Sequence, residues 1–209
     1  MPTRSVAVFS DYVCPWCYMG LAGLDTIAGT HALSVSRCAY ELRPREAPPR
    51  DPAQEAALRA KIRSSRTMVE EAARDRFGLE MHHPDLDFGI DTRLAHVGAR
   101  VADALGAGEA YHRAVFAAYW QQGRNIGERA ILCEIAGEVG LDAAAFDSAL
   151  DQPEHLEAVL SDETWAQNQG LGGVPAFIFA NRYLVSGAQP VAVLRQVVER
   201  CLAEGLATD

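Results

Sequence analysis

Two cysteines near the start of the chain, Cys14 and Cys17, have the residue type and spacing that favour redox chemistry. Two thiols separated by two residues lie almost one turn apart when they begin a helix, so their sulfurs can meet. The apolar run Val6–Phe9 predicts a strand before them, and Pro15 suits the first position of a helix. Amide groups and the helix dipole at that N-terminus stabilise a thiolate. The pattern therefore predicts a redox dithiol with Cys14 as its nucleophile.

The same spacing provides half of a structural zinc site, which is the alternative to a dithiol. A tetrahedral zinc needs two further Cys or His ligands, normally clustered in the sequence. The remaining cysteines, Cys38, Cys133 and Cys201, occur singly in strand and helix patterns, where buried structural roles are expected. His82 and its neighbour lie in a predicted loop without a partner motif. We therefore predict no metal site, and the position between a strand and a helix favours the dithiol.

A second motif, Val174-Pro175, opens a predicted strand far along the chain. Proline lacks an N–H and is tolerated at a strand start, so an ordinary trans proline is one interpretation. Beside a Cys-x-x-Cys motif in this topology we instead predict a cis peptide bond, which would present the Val174 backbone to a substrate. Trp16, between the two cysteines, is a candidate hydrophobic contact for the same substrate.

Hydrophobic periodicity predicts an α/β protein that contains a long helical insertion. A helix is expected from Pro15 to about residue 29, followed by a strand over Leu33–Leu42. The apolar positions of that strand change parity, which indicates a bulge or burial of both faces. Residues 1–44 and 170–209 are predicted to form one domain, and residues 45–169 an inserted all-helical domain.

Several motifs together resemble the FrnE-like branch of the DsbA family, and the resemblance covers essentially the whole chain. The motifs are Cys14-Pro15-Trp16-Cys17-Tyr18, Glu41-Leu42-Arg43-Pro44, Asp91-Thr92 with Ala95-His96, Ala118-Tyr119-Trp120, and Gly173-Val174-Pro175 through Ser186-Gly187-Ala188-Gln189-Pro190. The resemblance implies a thioredoxin-like fold (βαβ–ββα), with Cys14 as nucleophile, Cys17 as resolving cysteine and cis Pro175 facing them. Hydroxychromene carboxylate isomerases and kappa-class glutathione transferases resemble this fold but have serine at the catalytic position.

We therefore expect a thiol-disulfide oxidoreductase or disulfide isomerase that acts on protein thiols and disulfides or on small thiol substrates. Cys14 and Cys17 are the predicted catalytic residues, and Trp16, Val174 and Pro175 the predicted substrate-binding residues. No bound cofactor is expected, and glutathione is the candidate redox partner. One alternative is a glutathione-dependent small-molecule isomerase or natural-product tailoring enzyme of the same fold. Another is a non-catalytic, chaperone-like binding protein.

Composition narrows the class of partner. The 209 residues carry a net charge of -9 without a long basic block, which argues against nucleic acid and anionic membranes as partners.

No apolar stretch precedes the first predicted strand, so neither a signal peptide nor a transmembrane helix is expected, and the cytoplasm is the predicted compartment. Five cysteines, an odd number, also argue against a disulfide framework. A homodimer is the candidate assembly.

Overall fold

The computed structural model describes residues 4–86 and 89–206, and within these ranges the chain forms four strands and eight helices. In chain order they are β1 (Arg4–Ser10), α1 (Pro15–His31), β2 (Leu33–Ala39), α2 (Pro52–Phe77), α3 (Arg93–Ala104), α4 (Gly108–Trp120), α5 (Arg129–Glu138), α6 (Ala143–Ala149), α7 (Pro153–Asn168), β3 (Ala176–Phe179), β4 (Tyr183–Ser186) and α8 (Val191–Ala203). A long helical block thus separates a βαβ unit from a hairpin and a last helix.

The four strands form one sheet in the order β2-β1-β3-β4. β1 and β2 are parallel, with Phe9 opposite Cys38. β3 runs antiparallel to β1, with Phe9 opposite Ala176, and β4 completes the hairpin as an edge strand. This order confirms the predicted α/β class and the βαβ–ββα arrangement of a thioredoxin-like fold.

The chain divides into two compact units. One unit is Arg43–Glu157 and is helical; the other contains the chain on either side of it and holds the whole sheet. The sequence placed the second junction between residues 169 and 170, whereas the structure places it earlier, within α7. The last part of α7 belongs to the sheet unit, where the Ala39 N–H donates to Asp162 Oδ2 at 2.7 Å.

β2 is shorter than expected and ends at Ala39 rather than at Leu42. The prediction of its end was wrong because the backbone amides of Glu41 and Leu42 donate to carboxylates rather than to β1. The Glu41 N–H donates to Glu163 Oε1 at 3.1 Å, and the Leu42 N–H donates to Asp11 Oδ2 at 2.8 Å. The parallel register with β1 is unbroken throughout β2, so the strand contains no bulge.

Helices cover both faces of the sheet. α1 and α8 pack together on one face, and Phe177 points toward it, since a Cβ added to Gly20 of α1 would lie 3.0 Å from the Phe177 ring. Successive side chains of a strand point to opposite faces, so Ala176 points the other way. There Ala176 packs with Phe9 and with Ala166 of α7. The sheet unit therefore has apolar packing on both faces, with β1 and β3 at its centre.

The helical unit has a core of its own. α3 packs against α4, and α5 packs against α4 and α6. Large buried side chains of this core include Tyr111, Phe116, Leu132 and Phe146. None of the helices in the described part of the chain combines the length and the apolar character needed to cross a bilayer.

Gly20 marks a close approach of α1 to β3, and an alanine at this position tests it. The added Cβ would lie 3.0 Å from Pro175 Cγ and 3.0 Å from Phe177 Cζ, so these side chains would have to move. We expect Gly20→Ala to lower the free energy of unfolding by about 1–3 kcal/mol, the usual effect of overpacking. Urea unfolding followed by circular dichroism measures this change.

Gly29 provides the matched control, because it lies in the same helix and a Cβ added there meets no atom within 4 Å. Alanine has the higher helix propensity, so Gly29→Ala should leave stability unchanged or raise it by up to about 1 kcal/mol. A Gly20→Ala variant as stable as Gly29→Ala would contradict the packing described for α1 and β3.

Candidate active site

The turn between β1 and α1 places Cys14 at the start of the helix. Cys14 is the N-cap residue, with φ -91 and ψ 114 in the extended region, and Pro15 is the first helical residue. The N–H groups of Cys17 and Tyr18 both donate to the Cys14 carbonyl oxygen, at 3.1 and 3.3 Å. The predicted position of Cys14 at the helix N-terminus is therefore confirmed, and the first helical turn brings Cys17 back toward it.

The two cysteines differ in burial. Cys14 is 5% exposed to solvent, whereas Cys17 is completely buried. Both are free thiols in this structure. A disulfide approaching from solvent can therefore meet Cys14 first, and Cys17 only by way of Cys14.

Burial raises the pKa of the Cys17 thiol well above its ordinary value, because a thiolate in the interior loses its hydration. The hydrogen bond to the Cys14 side chain and the charge of Cys14 raise this pKa further. The Asp11 N–H, 3.5 Å from Cys17 Sγ, acts in the opposite direction because it donates to the sulfur. Cys17 therefore keeps its proton at neutral pH, which suits a resolving cysteine better than an attacking one.

The loop before β3 faces Cys14. The Val174–Pro175 peptide bond is cis, and Cys14 Sγ lies 3.7 Å from the Val174 carbonyl oxygen, within hydrogen-bonding range for a thiol. Pro175 is buried, and its Cγ lies against Gly20 of α1. The Gly187 N–H donates to the Pro175 carbonyl oxygen at 2.7 Å, which fixes this loop to the end of β4. The structure thus brings Cys14 and Val174-Pro175 together from distant parts of the sequence.

Trp16 lies in the first turn of α1, between the two cysteines, and is partly exposed. Both cysteines beside it are buried. Trp16 is therefore more accessible than either cysteine.

Asp11 is a residue of this site to which the sequence assigned no role. Its side chain is 1% exposed, and its Oδ2 accepts the hydrogen bond from Leu42. Its N–H contacts Cys17 Sγ, and its carbonyl oxygen accepts from the Cys14 N–H at 3.1 Å. Asp in a turn before a helix is a recognisable capping signal. Nothing in the sequence, however, indicates that its partner is a backbone amide 31 residues later.

The other cysteines have different surroundings. Cys133 Sγ lies 3.3 Å from Asp147 Oδ1, and burial together with this hydrogen bond raises the pKa of Cys133 to about 11. Cys38 is partly buried in β2, and Cys201 is buried in α8. The described residues contain no group of three or more His, Cys, Asp or Glu side chains arranged to hold a metal ion.

Comparison with known proteins extends these observations to the whole chain. A model of the DSBA-like thioredoxin domain matches residues 5–199. The uncharacterized protein YwbO of Bacillus subtilis is 30% identical over 203 residues, which is 97% of each of the two chains.

Solved structures show the same fold. The structure named "probable DsbA oxidoreductase SCO1869", from Streptomyces coelicolor, is 28% identical with a TM-score of 0.83, covering 96% of this chain and 91% of that one. The cytosolic disulfide reductase DsbM of Pseudomonas aeruginosa, with GSH, is 20% identical with a TM-score of 0.64, covering 93% and 99% of the two chains. The family match over residues 5–199, which is most of the chain, shows that the chain belongs to the family of DSBA-like thioredoxin domains.

Proposed function

We propose that this protein is a thiol-disulfide oxidoreductase that exchanges disulfides through Cys14 and Cys17. The observation that carries the proposal is the contact of Cys14 Sγ with the backbone of Val174, 3.7 Å away, at the N-terminus of α1. A thiol at a helix N-terminus is placed where its thiolate is stabilised, and a neighbouring thiol can complete the reaction. Membership of the DSBA-like family supports the same chemistry.

The proposed reaction has two exchange steps. The Cys14 thiolate attacks one sulfur of a substrate disulfide; a Cys14–substrate disulfide forms, and the second substrate sulfur leaves as a thiolate and takes up a proton. Cys17 then loses its proton and attacks Cys14 Sγ, which releases the first substrate sulfur and leaves a Cys14–Cys17 disulfide. Two electrons have passed to the substrate. Two molecules of glutathione are the proposed donors that restore the dithiol, forming glutathione disulfide.

The substrate is proposed to lie along the loop that precedes β3. The backbone of Val174 would pair with an extended substrate segment, and buried Pro175 would hold that backbone beside Cys14. The exposed part of Trp16 would provide an apolar contact for the same segment. Protein disulfides and small peptide disulfides both fit this arrangement, because only the substrate sulfur reacts and only the backbone next to it is proposed to pair with Val174.

The direction of exchange depends on the potential of the compartment, which we propose to be the cytoplasm. A cytosolic glutathione poise of about -220 to -260 mV, by extraction methods, keeps a weakly reducing dithiol reduced. Reduction or isomerisation of disulfides is easier to sustain there than net oxidation. A DsbM structure of the same fold contains glutathione, which supports its choice as redox partner.

Replacing each cysteine separately tests the proposed roles. We expect Cys14→Ser to abolish glutathione-coupled reduction of insulin, because the attacking sulfur is lost. Cys17→Ser should lower turnover strongly and accumulate a mixed disulfide at Cys14, since the resolving sulfur is lost. Insulin turbidity measures the first effect, and intact-protein mass spectrometry after exposure to a disulfide measures the second.

Cys38→Ser is the matched control, because Cys38 lies in the same unit but outside the site, and it should retain wild-type activity. Full activity of Cys17→Ser on a small molecule with bound glutathione would contradict dithiol exchange and favour a glutathione-dependent isomerase. Suppressed insulin aggregation by the doubly substituted protein, without reduction by the wild type, would favour a binding protein.

Equilibration in glutathione buffers tests the direction of exchange. At a poise of about -220 to -260 mV we expect Cys14 and Cys17 to be mainly reduced, because net reduction requires a reduced dithiol. Trapping with an alkylating reagent and weighing the intact protein gives the reduced fraction. A pair that is mainly oxidised in these buffers would contradict the proposed use as a reductase or isomerase.

A further inference from the structure

A buried aspartate, Asp11, contacts the resolving thiol through its backbone amide. Asp11 is 1% exposed, and its amide nitrogen is 3.5 Å from Cys17 Sγ. The carboxylate belongs to the same residue, so ordinary bond lengths place its oxygens no more than about 8 Å from that sulfur. The hydrogen bonds from the N–H groups of Leu42, at 2.8 Å, and Val13, at 3.5 Å, hold the carboxylate in place.

The backbone N–H and the carboxylate of Asp11 have opposite effects on the pKa of Cys17. The N–H donates to the sulfur and so favours a thiolate, whereas the negative carboxylate disfavours a second negative charge nearby. Solvent screens such a repulsion poorly in the interior, and both Asp11 and Cys17 are buried. Among the described residues, the charged side chains that act on Cys17 are those of Cys14, in the same helix, and Asp11, in the preceding turn.

We propose that Asp11 is a positioning residue that slows the resolving step: its carboxylate fixes the amide in contact with Cys17 Sγ and, through its charge, delays the attack of Cys17 on a mixed disulfide at Cys14. The inference rests on the proposed function. A mixed disulfide that persists gives a second thiol of the substrate time to attack and release the protein. Asp11 thereby favours rearrangement of substrate disulfides over their simple reduction.

The step concerned is the second exchange. Cys17 gives its proton to solvent, its thiolate attacks Cys14 Sγ, the Cys14–substrate bond breaks, and the substrate leaves as a thiolate. The carboxylate of Asp11 takes no proton in this scheme. That distinguishes the proposal from one in which Asp11 is the base that deprotonates Cys17.

Asp11→Asn separates the two contributions, because it removes the charge and keeps both the backbone N–H and a side-chain oxygen for Leu42. 5,5′-Dithiobis(2-nitrobenzoate) forms a coloured mixed disulfide at Cys14, and release of the second thionitrobenzoate follows the attack by Cys17. Stopped-flow absorbance across a pH series gives the rate of this second release at each pH. The pH midpoint is the pH at which that rate reaches half of its maximum. The variant Cys14→Ser/Cys17→Ser supplies the background from the other cysteines.

We expect the pH midpoint of the second release to fall by about half a unit to one unit in Asp11→Asn. At neutral pH the release should be roughly twofold to threefold faster, since the larger thiolate fraction is partly offset by the lower nucleophilicity of a less basic thiolate. Asp11→Ser, which also removes the charge, should shift the midpoint in the same direction. Two activities are measured in parallel. Relative to the wild type, the variant should reduce insulin faster and reactivate scrambled ribonuclease more slowly.

Asp162→Asn is the matched control. Asp162 accepts the Ala39 N–H, and Ala39 lies three residues before Leu42, whose N–H Asp11 accepts. The substitution therefore removes one negative charge from a comparable carboxylate. Its midpoint should equal that of the wild type. An unchanged midpoint in Asp11→Asn, or a slower second release, would overturn the proposal, and the slower release would identify Asp11 as the base. If no mixed disulfide forms at Cys14 in the wild type, the proposed function itself fails, which is a different outcome.

Discussion

The antiparallel pairing of β1 with β3 is the interaction on which the site depends. It sets Phe9 opposite Ala176, so the turn that follows β1 and the loop that precedes β3 meet at the same end of the sheet. Cys14 lies in the first and Val174-Pro175 in the second. Because the helical unit separates these segments in the sequence, neither the thiol nor the proline loop forms the site alone, and the sheet has to be assembled first.

Burial makes the two thiols chemically unequal within a single helical turn. Cys14 keeps a little exposure at the helix N-terminus, whereas Cys17 faces the interior and the backbone of Asp11. Desolvation is the largest cause of the raised pKa of Cys17, and local hydrogen bonds and charges modify that pKa. The Cys-x-x-Cys spacing brings the two sulfurs together, but it does not make them different. The difference in their exposure comes from the packing around Cys17.

Sequence patterns predicted most of the fold and named the residues of the candidate site apart from Asp11. The apolar run before Cys14 and the proline after it were sufficient to predict strand, turn and helix, because these signals act over a few residues. The end of β2 and the junction within α7 were not predictable in this way. Both depend on carboxylates that accept backbone hydrogen bonds from distant segments, Asp11 for Leu42 and Asp162 for Ala39. Such contacts leave no periodicity in the sequence.

The close approach at Gly20 limits how the site can move. The helix presents no side chain there, so the contact with Pro175 and Phe177 cannot relax by a rotamer change of residue 20. Moving α1 away from the loop before β3 would require the helix to shift as a whole against the sheet. Rotamer changes of exposed side chains take picoseconds to nanoseconds, whereas collective shifts of packed elements take about microseconds to milliseconds. A change in the site that needs such a shift of α1 is therefore much slower than a rotamer change of the partly exposed Trp16 beside the dithiol.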